Sequence, residues 1–382
     1  MVLASIFNFT MKKKNLRKTI LNIHKILGLV TGIVLFIVAI TGCLWAFKEE
    51  IEGFSDTYKN VTPKKANFLS ASTIKAIAEK EIPNKEIHGV VYGAKNEALE
   101  VIFYEATPKL FYQSLFLNPY TGEILKRINH DSGFFAFVLK GHIRLWLPEA
   151  VGSRIVSYSI LLFFTILITG LFLWWPKKKK NRAQRYKFQW KETTRWKRKN
   201  FDLHTIIGFY ISSFALIFAF TGCVMAFNWF YYIAYKATGG NKDPRFVTPN
   251  SKNILAVNNQ NTYDQLIPQL YEKYKEAKTF ELHYPSSDST SILVEMSNSK
   301  GLYYNMDYLF FDQNTLEEIE TYSIYGKYKN ADFADKVIRM NYDIHIGSIG
   351  GILGKFIAFF TSLICASLPV SGILLWYGRR YK

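Results

Sequence analysis

The sequence predicts an integral membrane α-helical bundle of four spans carrying two small extracytoplasmic α+β domains, laid out as a tandem internal repeat. Three observations lead there. Four apolar segments, at 24–47, 152–175, 204–232 and 352–377, are each long enough to cross a hydrocarbon core, which takes roughly 20 helical residues. The first is written a second time: HKILGLVTGIVLFIVAITGCLWAF from His24 matches HTIIGFYISSFALIFAFTGCVMAF from His204. The positive charge, +18 net over the chain, is concentrated in short stretches: six Lys/Arg in 12–25, twelve against one Glu in 177–199, and the closing RRYK.

Basic flanks of this kind stay in the cytoplasm. The expected order is a cytoplasmic N-terminus (1–23), span 24–47, a first outer domain with a lead-in at His142 (48–151), span 152–175 and a basic cytoplasmic loop (176–203). Span 204–232, a second outer domain with a lead-in at His345 (233–351), span 352–377 and a cytoplasmic tail (378–382) follow. The basic loop is thereby a topology signal, and the expected partner is the lipid bilayer with no nucleic acid. Aromatic residues at the span ends, such as Trp45, Trp174, Trp175, Trp229 and Trp376, suit the membrane interfaces. The opening MVLASIFNFT does not read as a cleavable signal, so the first span is expected to stay as an anchor, with Met1 or Met11 as the start.

In the first polar region SASTIKAIAEKEI (70–82) has the spacing of an amphipathic helix opened by Ser. HGVVY (88–92), LEVIFY (99–104) and the stretch 111–128 read as strands, with Asn118-Pro-Tyr-Thr-Gly122 as a hairpin turn. The second region repeats the order: a helix at 263–275, strands at 279–284, 291–296 and 303–311, a turn at Asp312-Gln-Asn, and a short strand at 315–321. Spans two and four also end alike, Thr169-Gly170-Leu-Phe-Leu-Trp174 and Ser371-Gly372-Ile-Leu-Leu-Trp376, while spans one and three carry Thr41-Gly42-Cys43 and Thr221-Gly222-Cys223.

Four histidines occupy matching places in the two halves. Topology puts His24 and His204 at the cytoplasmic ends of their spans, and His142 and His345 just before the outer entrances of theirs. Two imidazoles facing each other, with no matching carboxylate or thiolate, suit axial ligation of an iron porphyrin, so two haem b groups are expected, one per level. Gly28, Gly32 and Gly208, and Gly347 and Gly351 beside His345, are the candidates for clearing the cofactor face; Lys25, Arg144 and Lys355 are the candidate partners for its propionates. A single four-histidine zinc site is ruled out because the pairs lie at opposite ends of helices about 30 Å long. His88, His130 and His283 have no counterparts and are expected on the surface or in a domain core.

The three cysteines, Cys43, Cys223 and Cys365, form no CxxC or CxxCH, which excludes c-type haem attachment and cluster ligation; Cys43 and Cys223 either pair or simply pack. No GxGxxG stands in a strand-helix context, so electrons would come from quinol or a cytoplasmic reductase. An outer acceptor would be met by Arg144, Trp146, Tyr303, Tyr304 and Tyr308, although those tyrosines equally suit packing in a small sheet.

Taken together, His24-Lys-Ile-Leu-Gly28 with Thr41-Gly42, the domain ending Phe116-Leu-Asn-Pro-Tyr-Thr-Gly-Glu-Ile-Leu125, Gly141-His142, His204 with Thr221-Gly222, and His345 through Gly354 resemble the PepSY-associated transmembrane family. The likeness runs over nearly the whole chain, and the order of marks is more specific than any one. The family is one of iron-regulated bacterial inner-membrane proteins that include ferric-siderophore reductases. The resemblance implies PepSY-like outer domains in the periplasm, and reduction of Fe(III) in a ferric siderophore or other ferric chelate. The second outer domain departs from the pattern in lacking the Gly of the Thr-Gly turn. Two other readings stand beside this one: a non-enzymatic PepSY-type envelope binding or regulatory protein, and a haem electron carrier to a different outer acceptor. A transporter ranks last, because the span interiors hold almost no ionisable groups.

Overall fold

A computed structural model describes residues 13–107, 110–176, 183–251 and 262–380. In chain order its helices begin with α1 (Lys13–Trp45), α2 (Lys48–Gly53), α3 (Ala71–Glu81), α4 (Phe134–Arg144), α5 (Glu149–Trp174), α6 (Ala183–Tyr186) and α7 (Trp196–Asp202). They continue with α8 (Gly208–Ala226), α9 (Asn228–Ala237), α10 (Tyr263–Lys273), α11 (Phe333–Arg339), α12 (Asn341–Ile346) and α13 (Gly351–Arg380). The chain divides into a helical unit, from the described parts of 1–46, 137–227 and 345–382, and a sheet unit from 47–136 and 228–344.

The helical unit holds four helices long and apolar enough to span a membrane: Leu16–Trp45, Glu149–Trp174, Trp196–Ala226 and Ser348–Gly378. Contacts run around a ring, α1 to α5, α5 to α8, α8 to α13 and α13 back to α1. Large apolar side chains such as Val30, Ile33, Ile168, Phe172, Ile217 and Phe360 point outward, whereas Thr31, Thr41, Ser159, Ser212, Thr221 and Thr361 are buried. That inside-out polarity is what a lipid solvent selects, because hydroxyls can be satisfied only between helices.

Two expectations change here. The third span ends at Ala226 rather than 232, because Phe227 is extended (φ −134°, ψ 115°) and breaks the ladder before α9 begins. Gly347 and Gly351, expected beside a cofactor face, make the turn from α12 into α13, with φ of +80° and +56°. A Cβ on Gly347 would stand 2.5 Å from the Gly354 carbonyl oxygen, so the backbones approach as only glycine permits.

The sheet unit contains strands β1 (Ile87–Tyr92), β2 (Leu99–Glu105), β3 (Phe111–Leu117), β4 (Ile124–Asn129), β5 (Thr279–His283), β6 (Ile292–Ser297), β7 (Asp307–Phe311) and β8 (Glu318–Ile319). Instead of two separate domains they form one antiparallel sheet in the order β4-β3-β2-β1-β5-β6-β7-β8. The seam is β1 against β5, pairing Val90 with Leu282 and Tyr92 with Phe280. Residues from both halves, among them Ile74, Tyr92, Val101, Leu266, Phe280 and Val294, share one core, which neither short half could supply alone. Ser70 caps α3 by accepting from the Thr73 amide at 3.2 Å.

Strand β7 starts at Asp307, four residues later than the apolar pattern suggests. The Asp343 carboxylate accepts from the amides of Tyr303 (3.1 Å) and Tyr304 (2.7 Å), taking donors that a strand would spend on its ladder. The two hairpin turns keep one geometry despite the missing glycine. Gly122 donates to the Asn118 carbonyl and Leu316 to the Asp312 carbonyl, each at 2.9 Å, with φ of +74° and +60°. Gly122→Ala is expected to cost about 1–2 kcal/mol from the left-handed backbone alone, and more because the methyl would face Ile77 Cδ1 at 2.5 Å. Faster hydrogen exchange across β3 and β4 is the readout.

Candidate functional site

The helical unit brings the four repeated histidines together as two pairs. His24, on α1, faces His204, in the π-helical turn Leu203–Ile207 that leads into α8; their ring centroids are 6.4 Å apart. His142, on α4, faces His345, on α12, at 6.3 Å. Imidazoles in line across one metal ion, with each nitrogen roughly 2.0–2.1 Å from it, have centroids about 6.4 Å apart, whereas a tetrahedral angle brings them to about 5.2 Å. The separations of 6.4 and 6.3 Å match the larger of these two values.

Each imidazole is clasped by a neighbouring helix in the same way. His24 Nδ1 meets Thr169 Oγ1 of α5 at 3.0 Å, and His204 Nδ1 meets Ser371 Oγ of α13 at 2.9 Å. At the other level His345 Nδ1 meets Thr221 Oγ1 of α8 at 2.8 Å, and His142 Nδ1 meets the Val38 carbonyl of α1 at 2.8 Å with Thr41 Oγ1 at 3.3 Å. The clasping hydroxyls already donate within their own helices: Thr169 to Ile166, Thr41 to Ile37, Thr221 to Ile217 and Ser371 to Leu368. They can therefore only accept from the imidazole. Every Nδ1 therefore carries a proton, and in the neutral ring Nε2 then holds the lone pair, the arrangement that orients metal-binding histidines.

The residue after each clasping hydroxyl is glycine, and the reason is steric. A Cβ on Gly42 would lie 3.0 Å from His142 Cε1, on Gly170 3.3 Å from His24 Cε1, on Gly222 3.4 Å from His345 Cε1, and on Gly372 3.5 Å from His204 Cε1. The Thr-Gly and Ser-Gly pairs stand out in the sequence as repeated marks, but their partners are on other helices, so which histidine each holds is visible only in three dimensions. Along α1, His24 and Thr41 are 17 residues apart, so the two levels are separated by about 26 Å at 1.5 Å per residue.

A cavity of about 840 Å³ opens at the His24 and His204 level, within the roughly 300–1,000 Å³ typical of cofactor clefts. Gly28 and Gly208 line it, whereas Gly32 lies beside Pro369. Its cations are Lys25, named from the sequence, together with Arg17, Lys18 and Arg185. Burial, with Arg17 and Arg198 close by, holds the Arg185 guanidinium below its usual pKa, so an anion here would relieve crowded positive charge. At the other level the buried Nε of Arg144 has no hydrogen-bond partner among the described residues and its Nη1 is 3.8 Å from Glu149, while Lys355 is buried on α13.

The other candidates divide. Trp146 stacks on Phe137 at 4.9 Å in the helical unit and is 42% exposed. Tyr303, Tyr304 and Tyr308 belong to the sheet unit, where Tyr303 packs on Tyr342, Tyr304 on Tyr328, and Tyr308 under the Arg339 guanidinium. His130 bonds Ser114 at 2.8 Å, a structural role as expected. His88 and His283, by contrast, do not stand alone: they gather with Glu281, whose carboxyl burial pushes up to about 7. Cys43 and Cys223 are both free thiols.

A polytopic helical membrane protein with two opposed imidazole pairs is the class that this fold and site define. Residues 21–379 match the family model of the PepSY-associated TM region, and the chain belongs to that family. No curated protein matches the sequence.

Burial, with His142 beside it, pushes the His345 pKa down to about 4, and burial lowers that of His142 as well. Both lie below the unfolded value of about 6.5, so their contribution to stability is present above that pH and is lost as pH falls through the folded values. The thermal midpoint of metal-free protein in detergent should therefore drop between pH 7 and pH 5, and drop less in His345→Gln.

Proposed function

We propose that the chain is a membrane oxidoreductase that reduces a ferric chelate, foremost a ferric siderophore, on the outer side of the bacterial inner membrane. Electrons would come from quinol or a cytoplasmic reductase. The observation that carries the reading is the pair of imidazole couples, 6.4 and 6.3 Å between centroids, at the two ends of one helical bundle. When bound, haem b supplies one-electron Fe(III)/Fe(II) chemistry, and the residues fit two such groups.

In this reading His24 and His204 hold the cytoplasmic group, and His142 and His345 the outer one. The clasps from Thr169, Ser371, Thr41 and Thr221 fix each ring's tautomer and rotation and raise the basicity of Nε2. Arg17, Lys18, Lys25 and Arg185 would pair with the carboxylates of the inner group, and Arg144 with those of the outer one, giving its orphaned Nε an acceptor. Arg144 and the exposed face of Trp146, close to His142 in sequence, are the residues we assign to the acceptor. One electron converts Fe(III) to Fe(II), which hard oxygen ligands hold less tightly, and the metal is released.

Pyridine haemochrome assays should count two haems per chain, and one in His24→Ala or His345→Ala; an unchanged count in both variants would sink the ligand assignment. Dithionite-reduced protein should be reoxidised by a ferric siderophore, with Fe(II) trapped by a ferrous chelator. Thr169→Val should weaken haem retention roughly 10–100-fold, the usual effect of removing a partner behind a ligand, measured by haem transfer to apomyoglobin.

A further inference from the structure

The sheet unit carries a second group of potential ligands, on strands that the haem reading does not use. His88 (β1), Glu281 and His283 (β5) have donor atoms all within 4.8 Å of one another. His283 Nε2 lies 3.5 Å from Glu281 Oε1 and 3.5 Å from Glu295 Oε1 of β6. Donors tetrahedrally arranged at roughly 2.0–2.2 Å from one ion are about 3.4 Å apart, so these separations already approach those of a coordination shell.

Several local features have no simple structural purpose. Glu281 and Glu295 are direct cross-strand partners, and like charges in that relation destabilise a sheet. Among the described residues the only ion-pair partner of either carboxylate is His283. The Nδ1 of His283 donates to the His88 carbonyl at 2.9 Å, which turns Nε2 toward both carboxylates, 3.5 Å from each. A β-bulge between Ile87 and Gly89 sets His88 beside His283, ring centroids 5.0 Å apart. The absent side chain of Gly89 matters too: a Cβ there would stand 2.8 Å from Glu281 Oε1 and 3.3 Å from His283 Cε1. His88 itself is exposed and leaves a way in for an ion.

We propose that His88, His283 and Glu281, with Glu295 as a fourth donor, bind one divalent first-row transition-metal ion in the sheet unit. Two imidazoles and a carboxylate are a donor set used for zinc and for ferrous iron. The cation would offset the Glu281–Glu295 repulsion and take the place of the proton on Nε2 between the two carboxylates. This inference does not rest on the haem reading, and its test counts a different metal.

Zinc is the probe. The full chain in detergent micelles, stripped with a chelator and dialysed against micromolar Zn(II), is analysed for metal by mass spectrometry and by zinc X-ray absorption. The expected result is a zinc equivalent with N/O ligands at about 2.0–2.2 Å that survives in the His24→Ala/His345→Ala double variant. That equivalent should be lost in His88→Ala/His283→Ala, and Glu281→Gln should weaken it at least about tenfold. His88→Ala alone, which removes an exposed side chain and leaves the core intact, should also weaken it. Equal zinc in the wild type and in the His88→Ala/His283→Ala variant, or His88→Ala binding like the wild type, would overturn the assignment.

Discussion

The helical unit depends on one hydrogen bond made four times, from an imidazole Nδ1–H to a hydroxyl or carbonyl on an adjacent helix. Buried between helices, an N–H without a partner is costly, because water is not there to supply one. The solution is a Thr or Ser whose own proton is already given to the preceding turn, followed by a glycine that lets the ring lie against the backbone. Each clasp also ties two helices together: α1 to α5 through His24, α4 to α1 through His142, α12 to α8 through His345, and the start of α8 to α13 through His204. Helix packing and imidazole orientation are thus the same contact, and a side-chain change that loosens one loosens the other.

The sheet unit obeys a different constraint. Two short α+β segments, each too small to close a core of its own, pair β1 with β5 and bury a common apolar layer beneath α3 and α10. At the seam, acids and histidines that a surface strand would present to water face one another across β1, β5 and β6, with Glu281 opposite Glu295.

Much of this was legible in the residues. The spans, the eight strands within a few positions and the pairing of His24 with His204 and of His142 with His345 follow from apolar length, alternation and the duplicated text. What was not legible was decided by partners remote in sequence. The β1–β5 seam joins residues about 190 apart, on opposite sides of two spans, and no local pattern announces it. Tyr303 and Tyr304 read as strand until Asp343 takes their amides. Gly347 and Gly351, near His345 in sequence, belong to a turn, while the glycines that lie against the imidazoles follow Thr or Ser on other helices. His88 and His283 look isolated because they have no repeat counterpart, yet a bulge and a strand pairing set them side by side.

The central claim is the proposal that each end of the bundle would hold one iron between two imidazoles. Electron paramagnetic resonance of the oxidised, purified protein tests this most directly, since it reports axial ligands rather than cofactor content. The account predicts two low-spin ferric signals of the bis-imidazole type, one of which disappears in each of His204→Ala and His142→Ala. A high-spin spectrum from the wild type, or a single signal indifferent to both substitutions, would contradict it.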